Sequence, residues 1–378
     1  MKLAVILATI TMASASLAAA APTPTPTLMS QGPAVQMGAE RFVLHAQHIN
    51  RDFLIEVTAP LVPPLPGQKL PVIYALDGGY GLVGQSARVL GGSGAMAPAL
   101  VVSVGYLPNT SDAEHYRNTD LMHLRAMQGD KMDGGGGAAF EAFLDDELRP
   151  LIDARYPTDP KRAVLFGHSL GGLFAASVLA HRPDDYWAYL IASPSVWAAP
   201  DLPDRLRAVA SAGGGRRVFI GAGGLERADM TGGAAKLATA LSGPGSKFQV
   251  RSQVFEGQGH MPSYLLLAST ALPYLLPPPP APTPVMRTEI RLEPEVLDRY
   301  VGVYRLDAGR IITVTRQGGQ LVGQLTGLPP VQMFADAPTT FFSKIADAQV
   351  RFVLGSNGRA RSLVLRLNGA ESTAALEP

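Results

Sequence analysis

The chain has 378 residues, no cysteine, a net charge of +1 and 47% apolar side chains. That length holds one large α/β domain and a smaller one, with enough apolar residues for a sizeable core. The lack of thiols excludes disulfides, thiolate metal sites, a cysteine nucleophile and a lipid-anchored cysteine, and the near-neutral charge gives no reason to expect nucleic acid as a partner.

Residues 1–20 are expected to be a secretory signal peptide: Lys2 is a basic start, Leu3 to Leu17 is apolar but short, and Ala18-Ala19-Ala20 offers a small-x-small cleavage site. The expectation is a bacterial protein that is exported, periplasmic or secreted, with no stable membrane insertion after signal cleavage. A periplasm allows disulfides without requiring them. Residues 21–38 read as a Pro/Thr-rich linker.

From residue 39 the pattern becomes that of a folded domain. Strand-like runs fall at Arg41–Gln47, Phe53–Thr58, Leu70–Ala75 and Leu100–Val104, the last two more uniformly apolar, as buried central strands are. Apolar residues at helical spacing predict a helix over Ala138–Ala154. Then come a strand at Ala163–Phe166, a helix at Leu170–Ala180, strands at Trp187–Ala192 and Val218–Ala222, and a helix at Glu226–Leu241. A strand at Phe248–Phe255 and a helix at Pro262–Leu276 close the series. This alternation predicts an α/β fold with a mainly parallel sheet covered on both faces, over residues 39–276. Residues 277–286 are a stiff Pro-rich linker. Beyond it, residues 287–378 carry short β-rich runs at Tyr300–Arg305, Ile311–Thr315, Leu321–Leu325, Thr340–Ile345, Val350–Leu354 and Ser362–Leu367. Gly318-Gly319 and Asn357-Gly358 sit between runs as hairpin turns. These predict a small C-terminal antiparallel β-barrel or sandwich.

The chemistry concentrates at Val164-Leu165-Phe166-Gly167-His168-Ser169-Leu170-Gly171-Gly172-Leu173, where a strand runs into Gly-x-Ser-x-Gly and a helix. Such a turn strains the serine backbone, so Gly167 and Gly171 are expected to remove side chains that would collide across it. It lifts Ser169 Oγ above the sheet and aims the Leu170 N–H at the same space, as one oxyanion donor. A serine needs a base. Of seven histidines, only His181 and His260 follow Ser169, and the helix puts His181 about 18 Å away. That leaves His260, in a Gly-rich loop after the last strand. His168 is read as structural, because the turn sends adjacent side chains in different directions. His45, His48, His115 and His123 show no metal-ligand spacing.

The acid is expected at a strand end between Ser169 and His260. Val218 to Glu226 is a strand, a glycine loop and a carboxylate, which makes Glu226 the first choice, with Asp229 or a Ser–His dyad as alternatives. The second oxyanion donor is expected in Leu76-Asp77-Gly78-Gly79-Tyr80. Gly79 is preferred, with Gly78 and Tyr80 as neighbours.

These segments together resemble the putative esterase family, which includes enterochelin-type siderophore esterases, esterase D and the mycolyltransferases. The likeness covers roughly residues 40 to 275. It is carried by Leu76-Asp77-Gly78-Gly79, Val104-Gly105-Tyr106 with Arg117-Asn118-Thr119-Asp120, the Ser169 turn, Ser193-Pro194-Ser195-Val196-Trp197, Gly224-Leu225-Glu226 and Gly259-His260. It implies an α/β-hydrolase fold, a structural role for the Arg117–Asp120 segment, and a substrate pocket near Trp197, with Tyr80 beside the oxyanion loop. The C-terminal segment is similar to the lipocalin-like β domain appended to some serine hydrolases of the β-lactamase type, through Tyr300-Val301-Gly302-Val303-Tyr304 and Thr339-Thr340-Phe341-Phe342. That implies an accessory role in substrate access or assembly.

The resulting expectation is an exported serine esterase that takes a small-molecule ester, a siderophore lactone first and an acyl or sugar ester next. It needs no cofactor and no metal. Assembly into a homo-oligomer through the C-terminal domain is a further expectation. The rival readings are a peptidase or acyltransferase on the same fold, and a binding module that has lost activity.

Overall fold

The computed structural model describes residues 38–77, 81–108, 111–128, 131–278, 287–345, 347–367 and 370–378. The signal and linker expected over residues 1–37, and most of the Pro-rich linker, lie outside them. Among the described residues no helix is long and apolar enough to cross a membrane.

The first strands are β1 (Ala39–Ala46), β2 (Arg51–Thr58), β3 (Leu70–Leu76) and β4 (Leu100–Tyr106), with α1 (Leu82–Gly92) before β4. After α2 (Ala113–Leu121), β5 (Arg125–Gln128) and β6 (Lys131–Gly134) form a small hairpin. The helix expected over Ala138–Ala154 runs as α3 (Gly137–Ala142), a π-helical stretch over Phe143–Leu148 and α4 (Arg149–Arg155). Next come β7 (Thr158–His168), α5 (Leu170–His181), β8 (Ala188–Ala192), α6 (Leu202–Val209), β9 (Arg217–Gly223), α7 (Ala228–Ser242), β10 (Gln249–Phe255) and α8 (His260–Leu275). They build an eight-stranded sheet of order β1-β2-β4-β3-β7-β8-β9-β10. It is parallel from β4 to β10 and antiparallel at the β1-β2-β4 edge.

The strand period divides the core. Val72, Tyr74, Leu76 and Leu165 pack on one side, with the mostly apolar α5. Ile73, Ala75, Val164 and Phe166 pack on the other, against α1 and α8. Strands buried on both faces need this near-continuous apolar run. Helices α1, α2 and α6 were not expected: α1 carries three glycines, α2 is mostly polar and α6 has only eight residues.

The C-terminal segment is a closed antiparallel barrel. After the short α9 (Pro294–Leu297), its strands are β11 (Gly302–Arg305), β12 (Ile311–Gln317), β13 (Gln320–Leu325), β14 (Val331–Ala337), β15 (Thr340–Phe342), β16 (Ala348–Leu354), β17 (Ala360–Leu367) and β18 (Ala370–Leu376). The strands missing from the sequence reading are β14, which follows Pro329-Pro330, and the alanine-rich β18. Closure recruits both, because an open barrel would leave an unpaired edge. The barrel meets the loop between β2 and β3: Leu65 joins the barrel core and Arg310 Nη1 donates to the Pro64 carbonyl at 2.6 Å. That loop precedes β3, so the barrel sits at the amino edge of the parallel strands, away from their carboxyl ends. This placement counts against the role in substrate access that the resemblance implied.

Candidate active site

Only Ser169 separates the end of β7 from the start of α5. Its backbone has φ +61° and ψ −119°, a region that L-residues avoid. Three hydrogen bonds hold it: its N–H donates to Ala192 O at 3.0 Å, and its carbonyl accepts from Leu173 N–H at 3.0 Å and Ser195 N–H at 3.1 Å. A Cβ on Gly167 would lie 1.8 Å from Gly171 O, so that position admits only glycine. The sequence reading gave Gly171 the same task, but a Cβ there meets nothing closer than 3.4 Å. The second tight position is Gly172, whose Cβ would fall 2.6 Å from Ala192 O. Leu170 opens α5, and its N–H belongs to the first-turn donors that have no acceptor within the helix.

Gly78, Gly79 and Tyr80 lie outside the described residues, but the residue leading into them is held firmly. Asp77 has φ +60° and accepts a fork from Arg117, Nε to Oδ1 at 2.7 Å and Nη2 to Oδ2 at 2.6 Å. Three residues on, Asp120 accepts from Arg51 at 2.8 Å and from Tyr106 Oη at 3.2 Å. Burial raises the Asp120 carboxyl to about 6 against the pull of Arg51. Residues of the Leu-Asp-Gly, Val-Gly-Tyr and Arg-x-x-Asp segments thus pair through two ionic groups, Asp77 with Arg117 and Asp120 with Arg51 and Tyr106.

His260 is the first residue of α8, not a loop residue as expected, and its Nδ1 lies 2.7 Å from Glu226 Oε2. Glu226 in turn lies in the loop before α7, two residues short of the helix it was expected to open. That loop lets its carboxylate fold back, accepting from Gly223 N–H at 2.6 Å and Ser193 Oγ at 2.7 Å. Ser263 Oγ stands 2.9 Å from the His260 carbonyl and 3.3 Å from Glu226 Oε1. The Glu226 side chain is 1% exposed and that of His260 37%, so the acid is sealed while the ring stays open. Burial alone would raise the Glu226 carboxyl, but hydrogen bonds from His260, Ser193 and Gly223 outweigh it and hold it at about 2. Asp229 is turned instead to Arg227, whose Nε lies at 3.1 Å.

His168 packs its ring against that of His260, centroids 4.4 Å apart, with its Nε2 at 3.1 Å from the His260 carbonyl. Burial and the neighbouring His260 push its pKa down to about 3, so it stays neutral beside the candidate base. Among the described residues, the hydrogen-bond partner of Ser169 Oγ is Ser195 Oγ at 3.5 Å. The His260 ring reaches the serine turn through His168, the chain neighbour of Ser169, and catalytic hydrogen bonds of this kind often form only once substrate is bound. Trp197, two residues beyond Ser195, lies in a short 3-10 turn with one face against the core.

The sequence reading missed the polar shell. Ser193 is fully buried with φ +43°, and Ser195 and Ser263 stand beside it. Two of them were visible in the Ser-Pro-Ser-x-Trp segment, which was read only for its tryptophan. Also unforeseen, His123 and His181 converge on Glu141, Nε2 to carboxylate at 2.9 and 3.1 Å, and Arg182 shares that carboxylate at 2.8 Å. Burial would raise Glu141, but these partners hold it well below the usual carboxylate range.

Comparison with known proteins agrees with this architecture. Residues 46–260 match the family model described as putative esterase, and residues 287–377 match a domain of unknown function, DUF3471. The ferri-bacillibactin esterase BesA of Bacillus subtilis is 30% identical over 264 residues, 64% of this chain and 90% of that protein. A siderophore triacetylfusarinine C esterase of Aspergillus fumigatus is 31% identical over 173 residues, 44% of this chain and 58% of that protein. In fold, the BES protein of Bacillus cereus superimposes with a TM-score of 0.60 at 24% identity, covering 66% of this chain and 99% of that one. With more than half its length matched by the family model, and a relative matched across nine-tenths of its own length, this chain belongs to the putative esterase family and is a hydrolase acting on esters.

Proposed function

We propose that the protein is an exported serine esterase that cleaves a carboxylic ester through an acyl-enzyme on Ser169, with a siderophore lactone as the substrate class. One observation supports this most: the buried, hydrogen-bonded Glu226 holds His260, whose ring packs on His168, the residue before the serine on the strained strand-to-helix turn. In this reading the neutral His260 ring takes the Ser169 proton as Oγ attacks the ester carbonyl. Glu226 fixes the ring and offsets the charge it gains. The N–H groups of Leu170 and Gly79 receive the oxyanion. His260 then protonates the departing alcohol. Water, deprotonated by the same ring, attacks the acyl-enzyme and frees the acid and Ser169. The lactone assignment draws on the names of the relatives, and export on the N-terminal segment.

The test is to offer the purified chain a panel of siderophore lactones, aryl esters and feruloyl sugars, with fluorophosphonate labelling alongside. Lactone opening at a higher kcat/KM than the other esters, and labelling that Ser169→Ala abolishes, are the expected results. A folded Ser169→Ala protein that still turns over any ester would refute the mechanism. A preference for another ester would redirect the substrate alone.

A further inference from the structure

The barrel mouth that faces the esterase domain opens into a cavity of about 820 Å³. Its wall comes from the first residues of β12, β14 and β16 and the last of β13, β15 and β17, with apolar side chains such as Ile312, Leu325 and Leu365. The esterase domain closes one side with Leu61 and Val62. The floor includes Phe341, which packs against Tyr300 and Phe352 with ring centroids 5.5 Å apart. Phe341 and Met333 also line a second cavity of about 400 Å³ beside the β12–β13 turn, so these two side chains partition the space and give the first cavity the form of a cup.

Three features bear on what the cup holds. Its lining is largely apolar, as the linings of small-molecule sites are. Its volume lies within the ~300–1,000 Å³ common for small-molecule sites. Asp347 is the one charged residue among those lining it, and it is exposed at the rim. A carboxylate beside an apolar wall repels anionic amphiphiles and attracts cationic ones. The cup is also remote from the ester-cleaving site. Leu61 and Val62 precede β3 and Asp77 follows it, and seven strand residues at ~3.3 Å each span about 20 Å.

We propose that this cup binds a small apolar molecule, neutral or cationic, at a site separate from the one around Ser169. The esterase domain supplies part of the wall, so a bound molecule also stabilises the docked arrangement of the two domains.

The experiment titrates the full chain with the neutral fluorophore N-phenyl-1-naphthylamine, then displaces it with dodecyltrimethylammonium, dodecanol or dodecanoate below their micelle concentrations. One saturable site with a rise in Tm is expected, and the cation should displace the probe at a concentration at least about tenfold lower than the carboxylate. Asp347→Lys, an exposed change, should reverse that order. Ala348→Trp fills the mouth and should weaken the probe by about tenfold or more, while ester turnover stays within about twofold, as sites this far apart act independently. Unchanged probe affinity in a folded Ala348→Trp protein, or a charge preference that Asp347→Lys does not move, would overturn the proposal. So would a chain that is dimeric in solution and takes up no probe, since a second copy would then fill the cup. If Ala348→Trp does not fold, Asp347→Lys decides alone.

Discussion

Glu226, at the carboxyl edge of the main sheet, is sealed and accepts hydrogen bonds from His260, Ser193 and Gly223. At the amino edge the barrel mouth holds an open pocket of about 820 Å³ with a largely apolar wall. The described non-glycine residues with positive φ are Asn50, Asp77, Ser169 and Ser193, and the last three surround the first site. Strain of that kind persists only where neighbours over-determine the backbone. The carboxyl edge is therefore a place where removing one group disturbs several. At the cup a side chain can change what fits without touching the chemistry.

The sharpest way to break this contrast is at the acid. Glu226→Gln should lower kcat by about a thousandfold or more, since the amide neither fixes the correct ring tautomer nor offsets its charge. Asp229→Asn, on the exposed Arg227 pair, should change it by less than about twofold. Steady-state kinetics on one aryl ester compares them, and the reverse ranking would move the role to Asp229. The next largest effect is steric. Gly167→Ala should destabilise the fold by about 3 kcal/mol or prevent folding, whereas Gly171→Ala should cost about 1 kcal/mol or less, because only the first forces backbone atoms apart. Urea denaturation of both gives the answer, and equal losses would mean that the turn relaxes.

Ser193→Ala should reduce kcat about tenfold with KM nearly unchanged, since one hydrogen bond to a charged acceptor disappears from a residue without access to substrate. A rise in KM alone would place Ser193 in the binding pocket. The smallest effect concerns acid stability. The His168 pKa falls from an ordinary 6.5 to about 3, so the unfolded chain binds a proton that the folded chain refuses. Stability from this group is full above pH 6.5 and is lost as pH falls toward 3. Glu226 has the same sign but acts only below its ordinary 4.5, and His181, raised by Glu141, has the opposite sign. The difference between wild type and His168→Gln therefore isolates His168 between pH 6.5 and 4.5. The variant should show a flatter decline in Tm there, and parallel curves would assign the acid sensitivity elsewhere.

The chain's local sterics and periodicities carried much of the fold. Mostly apolar runs marked β3 and β4, and apolar strand followed by Gly-x-Ser-x-Gly marked the turn, because a Cβ at position 167 has no room whatever the rest of the chain does. Chain order and spacing also singled out His260 and Glu226 as candidates. The glycine-bearing, polar or short helices and the strands recruited by barrel closure were not legible, since their partners more than their own residues make them stable. Tertiary structure alone decided how Ser193 and Ser263 gather on one buried carboxylate, that Arg117 grips Asp77, and that the barrel docks at the edge opposite the serine. Those are contacts between residues tens to hundreds of positions apart. A local pattern encodes what the backbone can do at a position, whereas a long-range contact depends on where the packing of the whole sheet leaves each loop.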